Sequence, residues 1–183
     1  MSGKLKSIAV YCGHQFGNDK QFARDAALVG EMLAKNDIRM VFGGGDVGLM
    51  GTVATAALKN GGQVIGVSTD DVLARQEPAH PEIYVKVVDG VNERKQIMFD
   101  LSDAFIILPG GIGTLNELSD IMTMQQIGET NKPLFFLNTN NFWGPYAELV
   151  KHMMDCGFIE SMDDYHIFNA DNPEQLAEQV LKY

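Results

Sequence analysis

Three observations predict a doubly wound α/β domain with a mostly parallel sheet. Strand-like and helix-like segments alternate from end to end. The strands are apolar along their whole length rather than at every second residue, the pattern of strands covered on both faces. Glycine clusters stand where two of these strands hand over to helices. The 183 residues suit a single domain, 1–183, long enough for a substantial core, and no linker or low-complexity tract divides them.

The elements follow in order. Residues 7–12 form a short apolar strand. Residues 19–36 form a helix, because Phe22, Ala26, Val29 and Leu33 recur at spacings of three and four. A strand at 39–42 runs into Gly43-Gly44-Gly45, and a helix at 49–60 is stopped by Gly61-Gly62. A strand at 63–68 leads through a loop with Pro78 and Pro81 to a strand at 83–87. A helix at 91–101 carries Glu93-Arg94-Lys95, and a strand follows at 104–108. The helix at 114–127, a strand at 134–138 and helices at 146–155 and 173–181 complete the chain.

Bulk properties exclude several roles. A formal net charge of −10 argues against non-specific nucleic-acid binding and against anionic membranes. It leaves room for a locally basic pocket. The two cysteines, Cys12 and Cys156, are far apart, so neither a disulfide framework nor a zinc site is expected, and no other metal-ligand spacing occurs. The first seven residues lack the apolar core of a signal peptide, and no apolar run approaches the roughly 18–20 residues of a membrane span, so the cytoplasm is the expected location.

The stretch 105–117, Phe-Ile-Ile-Leu-Pro-Gly-Gly-Ile-Gly-Thr-Leu-Asn-Glu, carries the most functional information. An apolar strand runs into a proline and three glycines, then into a helix. Glycines let the backbone approach a phosphate, and the free N–H groups and positive dipole end of a helix hold it. Gly110, Gly111, Gly113 and Thr114 are the candidate anion ligands. The Gly-Lys-Ser/Thr ending of a Walker A loop is missing. Thr114 is expected to cap the helix. Glu117, three residues on, then fits either a capping box with Thr114 or a catalytic carboxylate facing the ligand.

Other candidates lie on the same rim. In an open α/β sheet, ligands bind beyond the carboxyl ends of the strands. The loop Gly13-His14-Gln15, the two glycine turns and Arg94 at the start of its helix all belong to that edge. Glu93-Arg94-Lys95 is either a solvated charged turn or the cation source that a phosphate needs in an acidic protein. Gly43-Gly44-Gly45-Asp46-Val47-Gly48 matches Gly-x-Gly-x-x-Gly, with Asp70 about 20 residues on, as in dinucleotide-binding proteins. It follows the second strand rather than the first, so a second glycine wall of the same pocket, with Gly44 and Gly45 as ligands, is the better reading. His14 is a candidate polar pocket residue, and Cys12 is a small buried residue rather than a nucleophile. Met122, Met124, Met153 and Met154 are core or interface residues rather than cofactor contacts. Leu115, Leu118, Ile121, Met122, Met124 and Ile127 cover more than one stripe of their helix, which points to a homodimer.

The nine residues from Pro109 to Glu117 resemble the PGGxGTxxE signature of the LONELY GUY (LOG) family. Glu93-Arg94-Lys95 is similar to that family's Arg-Lys element, and Val-Phe-Gly-Gly-Gly-Asp-Val-Gly-Leu-Met-Gly at 41–51 to its YGGGxxGLMG segment. The resemblance spans nearly the whole chain. It implies a homodimeric, Rossmann-like hydrolase of nucleoside 5′-monophosphates. Such an enzyme breaks the N-glycosidic bond to give free base and ribose 5-phosphate. The implied substrates are cytokinin riboside monophosphates, AMP, or both. Older labels call such proteins lysine decarboxylases, but no pyridoxal-phosphate site is legible here.

On this reading the 5′-phosphate sits on Gly110, Gly111, Gly113 and Thr114, helped by Gly44, Gly45, Lys95 and His14. Glu117 stabilises a ribosyl cation and Arg94 holds Glu117 in place. No cofactor or metal is expected. Two departures fall on the rim: Cys12-Gly13-His14-Gln15 replaces Cys-Gly-Ser-Ser, and Val91-Asn92 replaces Met-His. Ser68-Thr69 also stands where an Ile-Pro pair is common. The alternatives are a non-catalytic carrier of a phosphorylated cofactor, like the molybdenum-cofactor carriers, and an NAD(P)-binding oxidoreductase.

Overall fold

A computed structural model describes residues 4–74 and 80–183; the expected turn at Pro78 lies outside the described residues. The strands are β1 (Ser7–Tyr11), β2 (Arg39–Phe42), β3 (Val64–Thr69), β4 (Tyr84–Val88), β5 (Ala104–Ile107), β6 (Leu134–Leu137) and β7 (Ile167–Ala170). They form one sheet in the order β4-β3-β2-β1-β5-β6-β7. Every pairing is parallel, with Ala9 set between Val41 and Phe105. The helices are α1 (Lys20–Lys35), α2 (Gly48–Lys59), α3 (Asp70–Leu73), α4 (Val91–Asp100), α5 (Ile112–Gln126), α6 (Gly144–Asp155) and α7 (Pro173–Lys182). This is the Rossmann-like α/β arrangement that the alternation predicts.

The apolar strands bury both faces. Ile8, Val10, Met40, Phe42, Ile106 and Phe135 pack with α1, α2 and α7. Ala9, Tyr11, Val41, Phe105, Ile107 and Phe136 pack with Met98 of α4, Leu118 and Ile121 of α5 and Tyr146 of α6. Alternate residues of one strand thus feed two cores.

Chain direction reverses at the centre. The path steps outward from β1 to β4, then α4 carries it back to β5 on the other side of β1. The crevice above the carboxyl ends of β1 and β5 is therefore the topological switch point, where open α/β sheets hold their ligands.

Two elements depart from expectation. β7 reads as loop in the sequence: it has four residues, its Asn169 is exposed, and as an edge strand it pairs only with β6. α3 is a single turn, capped by the Thr69 hydroxyl, which accepts from the Val72 N–H at 3.3 Å.

Candidate active site

The turn after β5 builds the first half of the site. α5 begins at Ile112 rather than at Thr114, and its N-cap is Gly111, extended at φ −104 and ψ −153. The expected cap at Thr114 is therefore corrected, and of the two readings of Glu117 the capping box falls: Thr114 is the third helical residue, and among the described residues no side chain caps the helix. The first helical bond runs from the Leu115 N–H to the Gly111 carbonyl at 3.0 Å. The N–H groups of Ile112, Gly113 and Thr114 lie before it and have no acceptor within the helix. A side chain at Gly110 would overlap the Thr114 hydroxyl and come within 3.0 Å of the Gly13 nitrogen. The turn thus folds against both Thr114 and the loop after β1. That loop is pinned from each side: the Gly13 N–H donates to the Pro109 carbonyl at 3.0 Å, and the Leu49 N–H donates to the Gly13 carbonyl at 3.1 Å.

The second half is an ion pair. One turn into α5, the Glu117 carboxylate stands 3.6 Å from Arg94 Nη2, and the two side chains are only 11% and 13% exposed. Arg94 Nε donates to the Val67 carbonyl of β3 at 2.9 Å, which fixes the guanidinium across the sheet edge. Gly43, at the end of β2, leaves the space for it, since a Cβ there would overlap Arg94 Nη2. Burial pushes the Glu117 carboxyl up to about 7, although Arg94 and then Lys95 pull it down. Desolvation outweighs the attraction because the pair is beyond hydrogen-bond length and little water reaches it. Burial, followed by the charge of Glu117, also pushes the Tyr11 phenol and the Cys12 thiol far above their ordinary values. Cys12 therefore stays a thiol, as expected of a small buried residue.

Of Glu93-Arg94-Lys95, only Arg94 enters the site. Glu93 accepts from the Asp89 N–H at 3.3 Å, in front of α4. Lys95 pairs with Asp120 at 2.5 Å and donates to Asn116 Oδ1 at 3.0 Å, on the outer side of α5.

These groups line one cavity of about 580 Å³, well inside the range of about 300–1,000 Å³ for small-molecule pockets. Its walls include Gly110, Gly111, Gly113, Thr114, Glu117, Arg94 and His14, which the sequence singled out. The second glycine turn contributes Gly43 alone. Gly44, at φ +82, packs toward Val85 and Ser68, and Gly45 is buried off the cavity wall. The N-terminus of α2 meets the Gly13 carbonyl instead of a ligand. A smaller cavity of about 370 Å³ shares Tyr11 and Glu117 with the first, and Lys95 lines that one.

Sequence reasoning missed Phe16, Phe22, Val72, Ile112 and Phe142 among the walls of the main cavity. They come from four separate segments, and no spacing pattern links them. Among the described residues, no group of three or more His, Cys, Asp or Glu side chains is placed to hold a metal ion. Among the described residues no lysine lines the main cavity, so these walls do not suit pyridoxal phosphate, which requires a Schiff-base lysine. No helix among the described residues is long and apolar enough to cross a membrane.

Fold and site together define a switch-point α/β protein with an uncapped helix end beside a buried Arg–Glu pair. Comparison with known proteins narrows the class. A family model described as "Possible lysine decarboxylase" matches residues 50–180. A cytokinin riboside 5′-monophosphate phosphoribohydrolase of Rhodococcoides fascians is 40% identical over 155 residues, 84% of this chain and 78% of that protein. The rice protein of the same name, LOG, is 35% identical over 98% of this chain and 74% of its own length. Arabidopsis thaliana LOG1 is 33% identical over 100% of this chain and 86% of its own length. The chain belongs to the LOG family.

Solved structures share the fold at lower identity. A molybdenum cofactor binding protein of Rippkaea orientalis superposes with a TM-score of 0.70 at 21% identity, covering 98% of this chain and 97% of that one. The Moco carrier protein of Chlamydomonas reinhardtii gives 0.71 at 18%, covering 98% and 99%.

Proposed function

We propose that the protein hydrolyses the N-glycosidic bond of nucleoside 5′-monophosphates, cytokinin riboside monophosphates and AMP among them. The observation that carries this reading is the Arg94–Glu117 pair, buried one turn beyond an uncapped helix N-terminus. The phosphate takes the N–H groups of Ile112, Gly113 and Thr114, which places the ribose against Glu117. As the C1′–N bond breaks, its electron pair leaves with the base and positive charge develops on the ribosyl ring. The Glu117 carboxylate stabilises that charge and takes the proton from the water that bonds to C1′, while the departing base nitrogen takes up a proton from solvent and Glu117 later returns its own to solvent. Arg94 keeps the carboxylate aimed at the ring. His14 supplies a polar edge to the pocket.

Incubating the purified protein with AMP and with N6-prenylated AMP is expected to release free base and ribose 5-phosphate, both read by chromatography. Because the carboxylate is the active form, kcat/KM is expected to rise through about pH 7 and level off above it. A profile that falls through the same range would assign the protonated form instead. The fold is shared with cofactor-binding proteins, but a carrier has no use for a buried carboxylate at the sugar position. Bound ligand with no free base from any nucleotide would favour the carrier.

We also propose a cytoplasmic homodimer. Leu118, Ile121 and Met122 of α5 face the core and Leu115 packs against it, while Met124 is half-buried and Ile127 is exposed. Met124 and Ile127 are the apolar residues left on the second face for a partner copy. Light scattering at micromolar concentration is expected to give twice the 20.1 kDa chain mass.

A further inference from the structure

The Arg94–Glu117 pair is only one part of the main cavity's lining. Arg94 is tied to β3, Gly43 ends β2, the 12–17 loop ends β1, the cradle ends β5, and Phe142 follows β6. The lining segments thus follow or reach five adjacent strands, β3 to β6 in the sheet, whose axes together span roughly 19 Å. The cradle therefore lies within the row, not at its end. Glu117 stands on the α4–α5 side of the sheet, whereas Phe22 belongs to the core under α1.

A nucleoside 5′-monophosphate seated as proposed above fills the Glu117 side, with its ribose at the carboxylate and its base directed away from the phosphate. The side toward α1 is aromatic. Phe22 and Phe142 meet edge to face with ring centroids 5.8 Å apart. Phe16 is 56% exposed at the cavity mouth, and Ile112, the first residue of α5, is 82% exposed. Gly17, at φ +73, has no room for a side chain because one would approach the Phe22 ring to 2.8 Å. This turn holds the Phe16 loop over that ring. His14 and Gln15 line the same cavity.

We propose that this aromatic end is a second ring-binding subsite, for a planar group joined through the 5′-phosphate. The ligand class is a dinucleotide in which two nucleosides share a 5′,5′-pyrophosphate. One nucleoside lies at Glu117, a phosphate lies on the cradle, and the second base stacks on Phe16 and Phe142. The inference rests on the phosphate position proposed above.

Calorimetry on the Glu117→Gln protein, which keeps the ligands intact, tests it with AMP, ADP and the 5′,5′-pyrophosphate of two adenosines. Stacking is expected to make the dinucleotide bind about tenfold more tightly than ADP. It is also expected to shift the emission of Trp143, the sole tryptophan, whose ring lies 5.0 Å from that of Phe142. Phe16→Ala and Phe142→Ala are each expected to bring the dinucleotide-to-ADP ratio within about twofold of one, with circular dichroism confirming the fold. Equal binding of ADP and dinucleotide, or an advantage that survives both substitutions, overturns the second subsite alone. Failure of AMP, ADP and inorganic phosphate all to bind overturns the phosphate position, and the second subsite with it.

Discussion

Replacing Glu117 by glutamine is expected to lower kcat on AMP or its prenylated analogue by about 10³-fold, since general-base and electrostatic contributions of this kind are each worth roughly 10²–10⁴. KM is expected to change little, because the phosphate grip comes from main-chain groups of another turn. The same substitution is expected to stabilise the fold. A carboxyl whose pKa is about 7 in the folded protein holds its proton more tightly there than in the unfolded chain. Ionisation therefore removes stability as pH rises from the unfolded value to about 7, and the cost is complete above it. Glutamine cannot ionise, so at pH 8 the variant gains on the order of 1–3 kcal/mol. Urea denaturation at pH 5 and pH 8 checks this, with the gain present at the higher pH and small at the lower. A variant with near wild-type turnover would remove Glu117 from the reaction.

Gly43→Ala is expected to disable the enzyme without contacting substrate chemistry. The added methyl overlaps Arg94 Nη2 and comes within 3.2 Å of Met50 Sδ. Both obstacles are side-chain ends rather than backbone, so the fold survives the added methyl at a cost of about 1–3 kcal/mol, typical of an overpacked buried position. The guanidinium, however, must leave its place beside Glu117. A displacement of about 1 Å at a positioning group costs about 10²-fold in rate, so kcat/KM is expected to fall by that amount. The double variant with Arg94→Ala tests the cause. If Gly43 acts only by clearing space for Arg94, the double variant is no worse than Arg94→Ala alone. Additive losses would give Gly43 a separate role.

Much of this was legible before any coordinates. The alternation of apolar strands and helices yields the parallel sheet, and the switch point brings the 13–15 loop, Arg94 and the 109–114 turn to one rim. The start of α5 was not legible. Thr114 followed by Glu117 has the spacing of a capping box, and glycine is a poor helical residue, so the sequence puts Gly113 outside the helix. The backbone instead enters the helix at Ile112, and Glu117 is released to meet Arg94. Gly44 and Gly45 misled for a related reason. A glycine run signals close approach but not what approaches: here β3 and the Arg94 guanidinium take the space. Lys95 differs from Arg94 by one position, which on a helix is a turn of about 100°, enough to send it to Asp120. The aromatic end was invisible because Phe16, Phe22 and Phe142 meet only through the fold.

The cradle is made of peptide N–H groups, and a peptide N–H survives any substitution but proline. Replacing Ile112 or Leu115 changes a side chain and leaves the donors where they are, whereas a change at His14, Gln15 or Phe16 alters what the main cavity presents to a ligand. Anchoring and selectivity are thus written in different materials. A lineage built on this scaffold can exchange one ligand for another by point changes around the rim, with no refolding and no loss of hold on the anion, and for that reason the rim residues rather than the glycine turn are where related chains should diverge in what they accept.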